Sequence, residues 1–192
     1  MVVWIFSCPQ QRERPLVLLK CLPCPHCPHC RHCGALNRHG YLRGYDQRNT
    51  HHKTVRALRV YCSNRGHSQG CGRTFSLWIA DKVRRLFLST DQLWRFLEQT
   101  SLTGNKSRSF ENIGSPLTKS AAFRIWKRFL KAQSRIRTAL LSICAPPKQT
   151  LHCTGFSAAQ NTIAHLQEAF KDSFPDLNPI AAFQAKTQSF LI

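Results

Sequence analysis

Ten cysteines lie in a chain of 192 residues, and seven of them fall in a pattern that could hold a metal. Cys21, Cys24, Cys27, Cys30 and Cys33 recur every third residue, and Cys62 and Cys71 follow much later. Two thiolates separated by two residues can reach one tetrahedral zinc at ~2.3 Å, because the residues between them form a tight knuckle whose N–H groups face sulfur. Four ligands need two such knuckles. Cys30 and Cys33 are the preferred first pair, since Gly34 follows and takes a positive φ without strain. Cys27 with Cys30 is the alternative register. Cys71, flanked by Gly70 and Gly72, closes a second knuckle with Cys62, although the eight residues between them must loop out. His67 in that loop is a rival ligand to Cys62 or Cys71. The expected set is Cys30, Cys33, Cys62 and Cys71 around one structural Zn2+. Ordinary buried thiols would sit among apolar neighbours, whereas these sit among Pro, His and Arg.

The surplus cysteines are open to three readings. Cys21, Cys24 and Cys27, with His26, His29 and His32, could bind a second zinc, could offer another register for the first, or could belong to a leader without function. The leader is favoured. Cys8, Cys144 and Cys153 are expected to be ordinary core or surface residues.

The elements that would position these ligands follow from periodicity. Residues 1–29 contain Pro9, Pro15, Pro23, Pro25 and Pro28, which predicts an irregular leader, poorly ordered in part. Residues 41–45, 54–61 and 74–79 are rich in aromatic and β-branched side chains and predict a small antiparallel sheet. From about residue 81 the apolar period lengthens to ~3.6, the helical value. Val83, Leu86 and Phe87 would begin a helical stretch, and Thr90 or Asp91 would cap a helix carrying Leu93, Trp94 and Leu97. Residues 103–116 are expected to hold turns and at most one short helix around Phe110. Residues 117–143 give the clearest helix: Ala122, Trp126, Phe129, Gln133, Ile136, Leu140 and Ile143 share a face, with Arg124, Lys127, Arg128, Lys131 and Arg135 opposite. Pro146 and Pro147 would end it. In the tail, one helix should carry Ile163, Leu166 and Phe170, and another should start with Asn178 as N-cap and Pro179 in its first turn and carry Ile180, Phe183 and Phe190. The expected architecture is α+β: leader 1–29, metal module 30–80, helical module 81–145 and helical tail 146–192.

The formal charge of +19 favours polyanionic partners over small-molecule substrates. Its distribution is uneven: residues 31–85 hold 12 basic and 2 acidic side chains, residues 106–137 hold 9 and 1, and the residues after Arg137 hold 3 and 3. The two basic blocks are therefore the expected phosphate-contacting regions. No stretch approaches the ~20 apolar residues of a membrane span. Reduced, clustered thiols suit a cytoplasmic, nucleoid-associated protein. Lys119, Ser120, Arg124, Lys127, Arg128 and Lys131 would meet double-stranded DNA from the basic face of the long helix. Arg56, Arg59, Arg73, Arg84 and Arg85 would grip phosphate and set register.

The runs Cys30-Arg31-His32-Cys33-Gly34, Gly40-Tyr41-Leu42-Arg43-Gly44-Tyr45, Arg59-Val60-Tyr61-Cys62 and Gly70-Cys71-Gly72-Arg73-Thr74-Phe75-Ser76 carry a resemblance. They resemble the zinc ribbon of bacterial insertion-sequence transposases and their helix-turn-helix companions. The resemblance covers about residues 30–131 and implies a zinc ribbon followed by a helix-turn-helix within residues 93–131. The wide second knuckle and the extra upstream cysteines depart from that pattern. A transposase core needs three carboxylates converging on two metal ions. Of the nine acids only Glu168, Asp172 and Asp176 lie beyond the helical block. The expectation is a non-catalytic DNA-recognition subunit of a mobile element, with residues 150–192 either folding back on the helices or docking on a separate transposase or on a second copy. A split transposase or nuclease component, and an RNA-binding zinc ribbon, are the alternatives.

Overall fold

A computed structural model describes residues 3–6, 26–46, 49–84, 86–147, 157–174 and 176–192. The chain is of mixed α+β class and divides into two compact units, Met1–Lys82 and Val83–Ile192. Cys8, Cys21, Cys24, Cys153 and Arg85 lie outside the described residues, and so does most of the expected leader.

The first unit is built on a four-stranded sheet in the order β1-β4-β3-β2. These strands are β1 (Val3–Phe6), β2 (Leu36–Asp46), β3 (Asn49–Cys62) and β4 (Thr74–Ile79). The β2–β3 hairpin and the β3–β4 pair are antiparallel, as the alternation predicts. β4 has the predicted bounds because Phe75, Leu77 and Ile79 alternate with Ser76 and Trp78. On one face Leu58, Val60, Cys62, Phe75 and Leu77 form a core with Ala35 and Cys27. β1 corrects the expectation of a wholly irregular leader. It pairs in parallel with β4, Ile5 opposite Trp78, and Ile5 is buried.

The second unit contains five helices among the described residues: α1 (Thr90–Thr103), α2 (Lys106–Asn112), α3 (Lys119–Leu141), α4 (Ala158–Phe170) and α5 (Pro179–Thr187). Ser89 and Gln92 form a reciprocal capping box at the start of α1, one residue ahead of the predicted cap. Val83, Leu86 and Phe87, expected to begin a helix, do not. Val83 and Leu88 are fully buried there, so this segment anchors the chain to the core instead. α1 ends at Gly104, whose φ of 69° is the left-handed conformation a helix stop needs. Asn105 then caps α2.

α3 follows the predicted four-and-three pattern. Ala122, Phe129, Gln133, Ile136 and Leu140 are buried together with Ala121 and Ile125, and Trp126 is half-buried. The helix ends at Leu141, ahead of Ile143 and the two prolines. Phe96 meets Phe110 edge-on at 5.4 Å and Trp126 at 6.5 Å, tying α1, α2 and α3 into one three-helix layer. The tail helices join this core rather than forming a separate module. Ile163, Leu166, Phe170, Ile180 and Phe183 belong to the same buried cluster as Leu93 and Phe129. Asn178 and Pro179 open α5 as their types predict. No helix among the described residues is long and apolar enough to cross a membrane.

Candidate metal centre

Cys27, Cys30, Cys62 and Cys71 converge, with all four sulfurs within 4.8 Å of one another. Cys27 Sγ lies 3.7 Å from Cys71 Sγ, and Cys30 Sγ lies 3.7 Å from Cys62 Sγ. Four sulfurs held at ~2.3 Å in a tetrahedron would be ~3.8 Å apart. A disulfide needs ~2.05 Å, and the thiols are free. The donor set and its spacing therefore fit a metal ion, and they are consistent with zinc.

The two knuckles share one pattern of backbone-to-backbone hydrogen bonds. In the first, Cys27 N–H donates to His32 O at 2.9 Å, and Arg31 N–H donates back to Cys27 O at 2.7 Å. In the second, Cys62 N–H donates to Arg73 O at 2.9 Å, and Gly72 N–H donates back to Cys62 O at 2.9 Å. In both, the residue after the second cysteine has positive φ, 61° at Arg31 and 70° at Gly72. Sulfur also accepts from the backbone, from His29 N–H to Cys27 and from Cys71 N–H to Cys62, each at 3.4 Å. Cys27 thus corresponds to Cys62, and Cys30 to Cys71.

The eight-residue gap in the second knuckle has a simple resolution. Gly70 N–H donates to Ser63 O at 2.7 Å, closing the loop at its base. Residues 64–69 are extruded, and Cys62, Ser63, Gly70 and Cys71 remain as a two-residue knuckle. Ser63 N–H is anchored on Ala35 O at 2.7 Å, which seats the loop base beside the start of β2. Gly70 has no room for a side chain. A Cβ there would collide with the Ser63 carbonyl oxygen and lie 2.6 Å from Cys62 Sγ. His67, the rival ligand, is exposed in the extruded loop and is not part of the cluster.

Cys33 is the correction to the expected set. The bridge between His26 and Cys33 places it one residue beyond the Cys27–His32 pair, on the flank of the knuckle. Side chains alternate along an extended flank, so Cys33 is turned away from the sulfurs and is exposed. The misleading signal was Gly34. It does adopt a φ of 81°, but the positive φ of the first knuckle is taken by Arg31, a residue type that gives no such cue. Cys27, read from sequence as the alternative register or as part of a second site, stands in the cluster in its place. Cys144 is outside the cluster, as expected of an ordinary residue.

Burial divides the thiols into two kinds. Desolvation pushes Cys62 up from 9.0 to about 12, against the backbone N–H of Cys71, and raises Cys27 likewise. Cys30 is exposed, and the backbone N–H of His32 pulls it down to about 7. A divalent cation would stabilise the thiolate form at the two buried positions, which the low-dielectric surroundings disfavour.

The expected DNA-contacting residues fall in both units. On α3, Lys119, Ser120, Arg124, Lys127 and Lys131 are exposed and Arg128 is half-buried. Lys119 Nζ lies 2.6 Å from Glu111 Oε1, and that carboxylate holds the ammonium above its ordinary value. Arg73 is exposed and Arg59 half-buried, while Arg84 stacks over the Phe190 ring at 5.8 Å. Arg56 departs from the expectation of a phosphate grip. It is 9 % exposed, folded against the backbone of Gly44, where a Cβ would come within 2.8 Å of its Cδ.

No protein-family model, curated protein or solved structure matches the chain.

Proposed function

We propose that this chain is a non-catalytic, zinc-containing DNA-binding protein of a mobile genetic element. In this reading the first unit is a zinc ribbon and α2, the turn at residues 113–118 and α3 form a helix-turn-helix. The observation that carries it is the division of α3 into a buried face and an exposed basic face. Ala122, Ile125 and Phe129 hold the helix in the core, while Arg124, Lys127 and Lys131 stand in solvent. No acid occurs between Lys119 and Arg137, whereas a merely solvated face normally mixes signs. Lys119 and Ser120 lie in the first turn, where recognition helices present their base contacts. All-sulfur coordination favours zinc among common divalent ions and assigns it a structural role, since no ligand position is left open for substrate.

Titration of a labelled DNA duplex with zinc-loaded protein over a series of salt concentrations tests the proposal. Affinity should fall steeply with salt, by a log–log slope of ~0.9 per neutralised phosphate. The double substitution Arg124→Gln/Lys127→Gln should weaken binding and flatten that slope. Absence of duplex binding, or binding indifferent to salt, would overturn the reading.

A further inference from the structure

The hairpin of β2 and β3 extends well past the rest of its sheet. β4 pairs with β3 only from Ala57 to Tyr61, whereas β2 accompanies β3 as far as the Asp46–Asn49 pair. Residues 43–46 and 49–55 therefore form a two-stranded arm. Among the described side chains of the arm, none belongs to the unit's hydrophobic core. A two-stranded ribbon that buries so little is marginal in water by itself. Its base is fastened by the packing of Arg56 on Gly44 and by Thr54 Oγ1, which donates to Gly44 O at 3.2 Å.

The arm is basic on one face. Arg43 is paired with Val55, and Lys53 lies two residues from Val55, so both point to the same side. Lys53 Nζ stands 5.9 Å over the Tyr45 ring, which brings Tyr45 to that side as well. Arg43, Tyr45, His51 and Lys53 are all exposed. Three register shifts, around Gly40, Arg43 and Tyr45, interrupt the β2–β3 ladder. Such irregularities bend a ribbon and increase its twist.

We infer that this arm is a second DNA-contacting element, laid in the major groove of duplex DNA with Arg43 and Lys53 on phosphate. The inference rests on the DNA-binding function proposed above. Charge names a polyanion, and shape selects among polyanions. The major groove of B-form DNA is ~12 Å wide and admits a two-stranded ribbon. The corresponding groove of duplex RNA is too deep and narrow for side chains to read.

The test uses the full zinc-loaded chain and a DNA duplex, with an RNA duplex of the same sequence in parallel. Arg43→Gln/Lys53→Gln should keep its zinc and lose DNA affinity, with the log–log salt slope reduced by ~2, close to one per removed phosphate contact. Combined with Arg124→Gln/Lys127→Gln, the two losses should add. An arm variant with the affinity and slope of the unaltered chain would overturn the arm as a contact while leaving the helix reading intact. An equal loss on RNA would overturn the groove assignment. Loss of self-association without loss of DNA binding would make the arm a strand-pairing surface for a second copy. Failure of the unaltered chain to bind duplex DNA would remove both proposals together.

Discussion

Gly70 donates its backbone N–H to the carbonyl of Ser63 at 2.7 Å, and this bond sets Cys62 opposite Cys71 as though two residues separated them. The loop of residues 64–69 is thus an insertion into a knuckle that is otherwise the twin of Cys27–Cys30.

Excision of residues 64–69, joining Ser63 to Gly70, should leave a chain that still binds one zinc. Gly70→Ala should fail to do so with comparable affinity, because its Cβ would press on the Ser63 carbonyl and on Cys62 Sγ. Metal competition with a chromophoric chelator compares the two. Loss of the site on excision, with retention in Gly70→Ala, would refute the loop as an insertion.

Metal affinity should rise with pH between about 7 and 9.0. Cys27 and Cys62 are held above 9.0 by burial, so they enter the apoprotein protonated and must each release a proton to the solvent on binding. Cys30, at about 7, is already largely thiolate through most of that range. The apparent association constant should therefore climb by at least two logarithmic units per pH unit. For the metal-free fold the sign reverses above 9.0. Thiols whose folded pKa is raised contribute stability below their unfolded value, and that contribution disappears as pH rises toward about 12. Denaturant melts of chelated protein at increasing pH follow this decline, and a metal affinity flat with pH would contradict the assignment of buried thiols.

Arg31 and Gly72 occupy equivalent left-handed positions, and their substitutions should differ in sign. A non-glycine residue at positive φ costs about 1 kcal/mol or more. Arg31→Gly relieves this and adds a smaller unfolded-state entropy penalty. The metal-loaded variant should be unchanged or gain up to ~1 kcal/mol by that difference. Gly72→Ala should lose ~1–2 kcal/mol from backbone strain at its φ of 70° and the approach of its Cβ to Asn64. Chemical denaturation gives both values.

Arg135 fastens the C-terminus to α3 by donating to Phe190 O at 2.9 Å and Leu191 O at 2.7 Å. Because the guanidinium is exposed, Arg135→Ala should cost only about 1 kcal/mol. Amide exchange at residues 190–192 should accelerate well before that of α1, and uniform acceleration across the unit would contradict a local clasp.

Much of this fold was legible from local pattern. The four-and-three steps of α3, the alternation of β4 and the Asn178–Pro179 start of α5 depend on neighbours in sequence, and each appears where its pattern places it. What was missed depends on distant partners. β1 owes its place to β4, far along the chain, and Val83 and Leu88 are placed by burial rather than helical period. At the metal centre, Cys30, Cys62 and Cys71 were legible from spacing. The choice between Cys27 and Cys33 turned on a backbone conformation that Arg31 adopts without a glycine to announce it.

The ligand set is tested most directly by zinc content after purification of Cys27→Ser and Cys33→Ser side by side. Cys33→Ser should retain one zinc per chain with the affinity of the unaltered protein, and Cys27→Ser should lose it to a mild chelator. Zinc retained by Cys27→Ser and lost by Cys33→Ser would contradict the centre of Cys27, Cys30, Cys62 and Cys71.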